Sequence, residues 1–430
     1  MFKKGLLLFM ASVFLFFSGF ASLPGEEVEE EVRLLTLDES IEIALENNAE
    51  VLIKKEEIKE AVAGIKEARS GLLPQLDANA DYYNYHDHPY LTYEENYQTN
   101  VSLTQVLYAG GQLINSLRQS KLNLEATGEK QRRTRQEIIF KVEEVFYSVL
   151  LAEEFVRINQ ETLSLAEEQL RIARERYHAG EVSNYDVLRA EVEVATVKPE
   201  LVKAENYLQV AQNEFKFILG LDLATLVKVK GDFAYLPKEV NLDDTFAAAF
   251  ASRPELKEME ANRKMGELGV KIAKGGSKPT VSLIVGNYWD EKSAFSVREE
   301  WDDYGVGLIS VDVPIFDGLG ARAKTQGALA QLNAVKISEE NLKERVKLEV
   351  ENASLSLKAA QEVVASQAKN VEKASECLGI MQTRYKQGKA TQLDLLDAQV
   401  ALSRVKVSYA QSIYEHTIAK ASLKLAVGKE

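Results

Sequence analysis

A disulfide framework is excluded at the outset, because the chain of 430 residues carries one cysteine. That residue, Cys377, falls inside a helical pattern and reads as a buried, inert thiol. Histidine is nearly as scarce, with four in all. His86 and His88 could hold a metal, but a polar loop tip accounts for them better, and His178 and His416 stand far apart. No nucleophile, base and orienting group stand in a recognisable arrangement, so the sequence offers no catalytic residue, no metal ligand set and no cofactor site. Gly275-Gly276-Ser277-Lys278 lacks the earlier glycine of a phosphate loop and runs into Pro279. Positive charge is also short. Against 66 Asp and Glu there are 52 Lys and Arg, a net charge of −14. An acidic surface of this size excludes nucleic acid as a partner.

Long apolar runs are missing beyond the N-terminus, so no transmembrane helix is expected there. Met1 to Ala21 has the layout of a secretory signal peptide: Lys3 and Lys4, an apolar run from Leu6 to Phe17, and Gly19-Phe20-Ala21 as the cleavage site. A retained anchor is the other reading of this segment. No cysteine follows the cleavage site to take a lipid. Without Lys3 and Lys4 the charge becomes 50 − 66 = −16. An exported chain of this kind is either soluble or crosses an outer membrane as β-strands, which leave only a weak alternating signal.

Proline is thin where it matters, with none between Pro89 and Pro199. Leu35 to Ser70 reads as a helix ended by Pro74. Two strands follow. Leu76, Ala78, Ala80 and Tyr82 alternate with polar residues in Gln75 to Tyr83, and Tyr97, Thr99, Val101 and Leu103 do so in Tyr97 to Leu107. Each has about the length that a tilted strand needs to span a bilayer. The same alternation also fits a half-solvated sheet. Gln112 to Tyr177 then reads as one helix. Its apolar residues, from Ile138 to Tyr177, keep a 4-3 spacing broken only by Asn159, which is a coiled-coil seam. Tyr185 to Leu219 is helical again, with Pro199 expected to kink or split it. Leu221 to Asp244 reads as an irregular connector.

The chain then repeats. Ala49-Glu50-Val51 returns as Pro254-Glu255-Leu256 (254 − 49 = 205), strands are expected over Thr280 to Tyr288 and Tyr304 to Ile315, and the seam returns from Val346 to Tyr385 with Gln367 opposite Asn159. Arg176-Tyr177-x-x-Gly180-x-x-Ser183-x-x-Asp186 returns as Arg384-Tyr385-x-x-Gly388-x-x-Thr391-x-x-Asp394 (385 − 177 = 208). Repetition over this length indicates duplication. The sequence divides into a signal peptide (1–21), a first repeat (22–220), a connector (221–244) and a second repeat (245–430). The fold expected is mainly α with a small β part. Four strands cannot close a barrel in a membrane, where open edges cost several kcal/mol per unpaired group. Three chains would pool twelve.

Taken together, Ala68-Arg69-Ser70-Gly71-Leu72-Leu73-Pro74 before the first strand, Leu107-Tyr108-Ala109-Gly110-Gly111 and Ile315-Phe316-Asp317-Gly318 after the hairpins, and the two Arg-Tyr-x-x-Gly turns resemble the TolC-like outer-membrane efflux proteins. The resemblance implies a homotrimer with a twelve-stranded barrel in outer-membrane lipid and an α-helical barrel of coiled-coil hairpins projecting into the periplasm. It implies a passive exit duct for efflux or type I secretion, not an enzyme. A periplasmic adaptor and an inner-membrane pump of RND, ABC or MFS type would complete the machine. A soluble periplasmic coiled-coil adaptor or scaffold is the rival reading.

Gly180 and Gly388 suit helix-ending positions, Ser183 and Thr391 suit N-caps, and Asp186 and Asp394 suit capping boxes. Tyr177 and Tyr385 end the seams, and core packing accounts for both. By the resemblance these turns are also where the adaptor docks. Asp397 replaces Arg189 of the first repeat (397 − 208 = 189) and is not needed for capping. The resemblance places Asp394 and Asp397 at the acidic constriction of the duct, and Ala390 where some relatives carry a basic residue.

Overall fold

The computed structural model describes residues 33–84, 95–235, 242–290 and 302–429. The signal peptide expected over 1–21 and the His86/His88 pair lie outside them.

Each repeat opens with a helical pair: α1 (Leu37–Asn47) and α2 (Ala49–Ser70), then α5 (Leu242–Ser252) and α6 (Pro254–Gly275). The sequence pattern gave one helix where α1 and α2 stand. Asn48 breaks it: its extended backbone ends α1, and its side chain accepts from the Glu50 amide at 2.9 Å to cap α2. Its Nδ2 also donates to the Ile218 carbonyl at 2.9 Å. Arg253 does the same in the second repeat. It is 2 % exposed, its Nε donates to the Ala426 carbonyl at 2.6 Å, and its guanidinium pairs with Glu349. Pro254 enforces the break there, since the residue before a proline is pushed out of the helical region.

The β part is a four-stranded antiparallel sheet in the order β2 (Gln75–Asn84), β3 (Glu95–Ala109), β5 (Thr280–Asp290), β6 (Asp302–Asp312). The register sets Leu76 beside Leu103 and Leu103 beside Val285, so the apolar sides of the strands share a face. A bulge between Val106 and Tyr108 re-aims the end of β3. In the second repeat the strand stops at Asp312, short of the expected Ile315, because Pro314 cannot donate to a ladder.

Two 67-residue helices dominate the molecule, α3 (Gln112–His178) and α7 (Gly320–Lys386). At about 1.5 Å per residue each is about 100 Å long. α4 (Asn184–Leu219) returns along α3 and α8 (Gln392–Val427) along α7. The helix starts repeat at 320 − 112 = 208 and 392 − 184 = 208. Seam residues Ile138, Val142, Val149 and Ala152 are buried in α3, as are Val346, Val350, Leu357 and Val364 in α7. Asn159 turns its amide back to the Phe155 carbonyl, which satisfies the polar break in the seam.

Three expectations are corrected. Of the kink or split expected at Pro199, the split does not occur, and α4 runs on through it. It lies on the exposed face, where water can reach the Ala195 carbonyl that it leaves without a donor. Cys377 is exposed, because the seam position beside it is Leu378. The connector is not wholly irregular either: β4 (Val227–Val229) pairs in parallel with β1 (Arg33–Leu35), and Val227 and Val229 pack into the core around Phe146.

Candidate functional site at the helical tips

Both tips are built by the same backbone chemistry. α3 runs to His178, and Gly180 then takes φ 73°, where a side chain would add strain. The Gly180 amide donates to the Tyr177 carbonyl at 2.9 Å and the Glu181 amide to the Arg176 carbonyl at 2.8 Å. In the second tip, Gly388 at φ 69° donates to Tyr385 at 3.0 Å and Lys389 to Arg384 at 2.8 Å. These are paired Schellman bonds, which satisfy carbonyls that a helix end leaves open.

The next helix starts just as regularly. The Ser183 amide and hydroxyl donate to Asp186 Oδ2 at 3.0 and 2.7 Å, and those of Thr391 donate to Asp394 Oδ2 at 2.8 and 2.7 Å. The Asp394 amide donates back to Thr391 Oγ1 at 3.2 Å. The hydrogen bonds from the Thr391 hydroxyl and amide hold the Asp394 carboxyl below the usual carboxylate range, with a further push from Arg384.

Beyond the turn the two tips differ. Tyr385 is 9 % exposed and packs with Leu378, Leu395 and Ala398, whereas Tyr177 is 44 % exposed. Core packing therefore explains Tyr385 and not Tyr177. Arg176 of the first tip also lies over Tyr385, with its guanidinium 5.2 Å from the ring centroid. This contact sets the tips side by side within one chain. Arg176 also pairs with Glu181 at 3.0 Å. The second tip has Lys389 at the Glu181 position (389 − 181 = 208), and Arg384 reaches only the Lys389 carbonyl, at 3.5 Å. The Arg-Tyr pairs were visible in sequence. That one of them reaches across to the other tip was not, because the turn motif says nothing about neighbouring hairpins.

Asp394 and Asp397 stand three residues apart on α8, close to one face of the helix, and both are exposed. Asp397 makes no hydrogen bond or ion pair with any described residue. Arg189, at its position in the first repeat, donates to the Tyr185 hydroxyl at 3.2 Å. The exposed carboxylates can attract cations and repel anions, and nothing at the tips resembles a catalytic arrangement. Among the described residues there is no group of acidic, histidine or cysteine side chains that could hold a metal ion, and no helix long and apolar enough to cross a membrane.

Residues 40–221 and 246–429 match the profile of a family described as "outer membrane efflux protein". The chain is 23 % identical over 397 residues to the outer membrane efflux protein BepC of Brucella suis, covering 92 % of this chain and 85 % of that one. It is 25 % identical over 386 residues to the outer membrane protein TolC of Escherichia coli, covering 85 % and 76 %. Among solved structures, the outer membrane protein VceC of Vibrio cholerae superposes with a TM-score of 0.78 at 16 % identity, over 91 % of this chain and 96 % of that one.

Proposed function

We propose, from the premise that this chain belongs to the outer membrane efflux protein family, that three copies close one duct and that the paired tips are its docking end. The chain is a passive outer-membrane exit duct with a helical extension into the periplasm, and not an enzyme. The observation that carries the trimer is the sheet. Its order leaves β2 and β6 as open edges, and every residue of β2 is exposed on both faces. No bilayer tolerates such an edge. Pairing β6 of one copy with β2 of the next removes it, and three copies supply twelve strands. Eight strands from two copies would be filled by their own side chains.

The face of the sheet that carries Leu76, Ala78, Val101, Leu103 and Val285 fits lipid. Tyr82 and Tyr97 meet with tilted rings, 5.0 Å between centroids, near one end of that face and Tyr108 lies near the other, as interfacial aromatics do. The helical part requires a second copy as well. The Arg176–Tyr385 contact relates the first tip to the second within one chain. Closing the ring repeats it between chains, with Arg384 of one copy over Tyr177 of the next, which would cover the exposed tyrosine.

Signal removal at 1–21, two repeats (22–220 and 245–430) and a connector (221–244) complete this reading. The tips present Gly180, Ser183, Asp186, Gly388 and Thr391 as a rigid surface for a periplasmic adaptor, with Tyr385, and in the closed ring Tyr177, packed behind the turns as supports. An inner-membrane pump of RND, ABC or MFS type would stand behind it. Asp394 and Asp397 of three copies would place six carboxylates at the mouth, a selectivity gate of acidic side chains. A soluble coiled-coil adaptor would have no use for a sheet uncovered on both faces.

The test is crosslinking in cells from Gln387→Cys or Ala179→Cys, in a Cys377→Ser background because the native thiol is exposed. Capture of one periplasmic adaptor chain by outer-membrane trimers is expected. Recovery of the protein from the soluble fraction, with no adaptor on either cysteine, would overturn the docking reading.

A further inference from the structure

The sheet face opposite the lipid-facing one is divided into two stripes. Across β2 and β3 three of its rows carry Gln75 beside Thr104, Asp77 beside Ser102 and Asn79 beside Asn100, all polar. Across β5 and β6 the register continues the same rows with apolar partners: Ile284 beside Leu308, Gly286 beside Val306 and Tyr288 beside Tyr304. The row Asn79, Asn100, Tyr288, Tyr304 and the row Asp77, Ser102, Gly286, Val306 show the change within one level. The tyrosine rings stack at 5.6 Å with planes 12° apart. Leu308 is 47 % exposed in the single chain. Three rows two residues apart span about 14 Å along the strands, and two strands about 10 Å across them.

Charge on these strands has one sign. The described segments of β2, β3, β5 and β6 contain acidic residues and no lysine, arginine or histidine. In a closed duct this face lines the lumen. The apolar stripe would then lie between Asn100 and Ser102 on its own β3 and Asp77 and Asp81 on the next copy's β2. A water-filled lumen has no need of the half-buried Ile284 and Val306 or the exposed Leu308, which water solvates poorly.

We infer that this stripe is a contact site for lipophilic organic cations on their way out. Aliphatic side chains take the apolar body, the Tyr288 and Tyr304 rings take positive charge on their faces, and the neighbouring carboxylates exclude anions of the same shape. Charge complementarity selects this occupant over an apolar segment of the chain itself. The inference rests on the trimeric duct reading.

Tetraphenylphosphonium, tetraphenylborate and tetramethylammonium separate the contributions in single-channel recordings of the full-length protein in planar bilayers. The first two share a shape and differ in charge, and the third is a cation with little apolar surface. Tetraphenylphosphonium is expected to block at least about tenfold more tightly than either. Ile284→Ser with Leu308→Ser should raise its blocking constant about tenfold, and the isosteric Val306→Thr a few-fold, with potassium conductance unchanged. Asp77→Asn with Asp81→Asn should relieve the block while retaining shape. Asp394→Ala with Asp397→Ala should leave it in place, which separates the stripe from the gate.

Equal block by tetraphenylborate, or block unaffected by every stripe variant, would overturn the inference and leave the duct intact. So would stripe variants that raise the unblocked conductance instead, which would mark the stripe as the seat of a segment of the chain. A protein that forms no channel at all would sink the duct reading and this inference with it.

Discussion

The two tips have the same turn and different surroundings, and the difference separates what folds from what functions. Schellman bonds, a left-handed glycine, a Ser or Thr cap and an Asp three residues on are present in both. Those features finish a long helix and start another, whatever the turn then meets. Among the side chains that differ, in the turn and beside it, are Glu181 against Lys389, Arg189 against Asp397, Ala173 against Met381 and Val187 against Leu395. The second tip buries a tyrosine and carries an unpaired carboxylate. The first exposes its tyrosine and carries an arginine. Duplication supplied one scaffold twice, and divergence placed an extra carboxylate, Asp397, on one copy.

The packing difference should give the largest effect. Leu395 is 1 % exposed beneath Tyr385, and Leu395→Ala should cost about 3 kcal/mol of local stability. Val187 fills the corresponding place with one methylene fewer, and Val187→Ala should cost about 2 kcal/mol. Amide exchange at the starts of α4 and α8 measures both. Equal protection losses at the two tips would remove the claim that the second is the better packed.

The gate comes next. Asp394→Ala with Asp397→Ala should lower the cation-over-anion permeability ratio about tenfold, the equivalent of about 1.4 kcal/mol. Asp397→Arg, which copies the first repeat, should do so by itself without loosening the cap. Single-channel reversal potentials in a salt gradient report the ratio, and an unchanged ratio in both variants would make the carboxylates a solvated helix face only.

The smallest effect concerns pH. The folded Asp394 carboxyl sits below its ordinary value of 3.8, so its capping contribution is present above that value and is lost as pH falls through the lowered one. Exchange at Leu395 and Leu396, corrected for the intrinsic rate, should therefore accelerate on acidification below the ordinary carboxylate range. Asp394→Asn should remove this dependence. A variant that kept it would assign the effect to another carboxylate.

Much of the fold was legible because it is local and repeated. A 4-3 seam over most of α3 and again over α7 can form only one kind of helix, and a second copy at a constant offset removes chance. The strands were legible to within a few residues, since alternation sets which side faces what. The failures were places where a distant partner decided. The Asn48 amide finds the Ile218 carbonyl, 170 positions away, and no helical periodicity announces that. β4 is a strand because β1 lies beside it. Pro199 does not split its helix, because the carbonyl it orphans can meet water. At the tips the capping roles followed from spacing and the burial of Tyr385 from the seam, whereas the exposure of Tyr177 and the reach of Arg176 to the other hairpin did not.

The uninterrupted length of α3 and α7 has a mechanical consequence. Neither helix contains a proline or a break along its 67 residues, so each can act as a lever with its fulcrum near the sheet. For a rod of about 100 Å, a tilt of about 5° at the base carries the far end about 9 Å. Widening the mouth would then need no bending within a helix. Small slippage where α2 and α6 brace the levers would be magnified into an aperture change at the distant end.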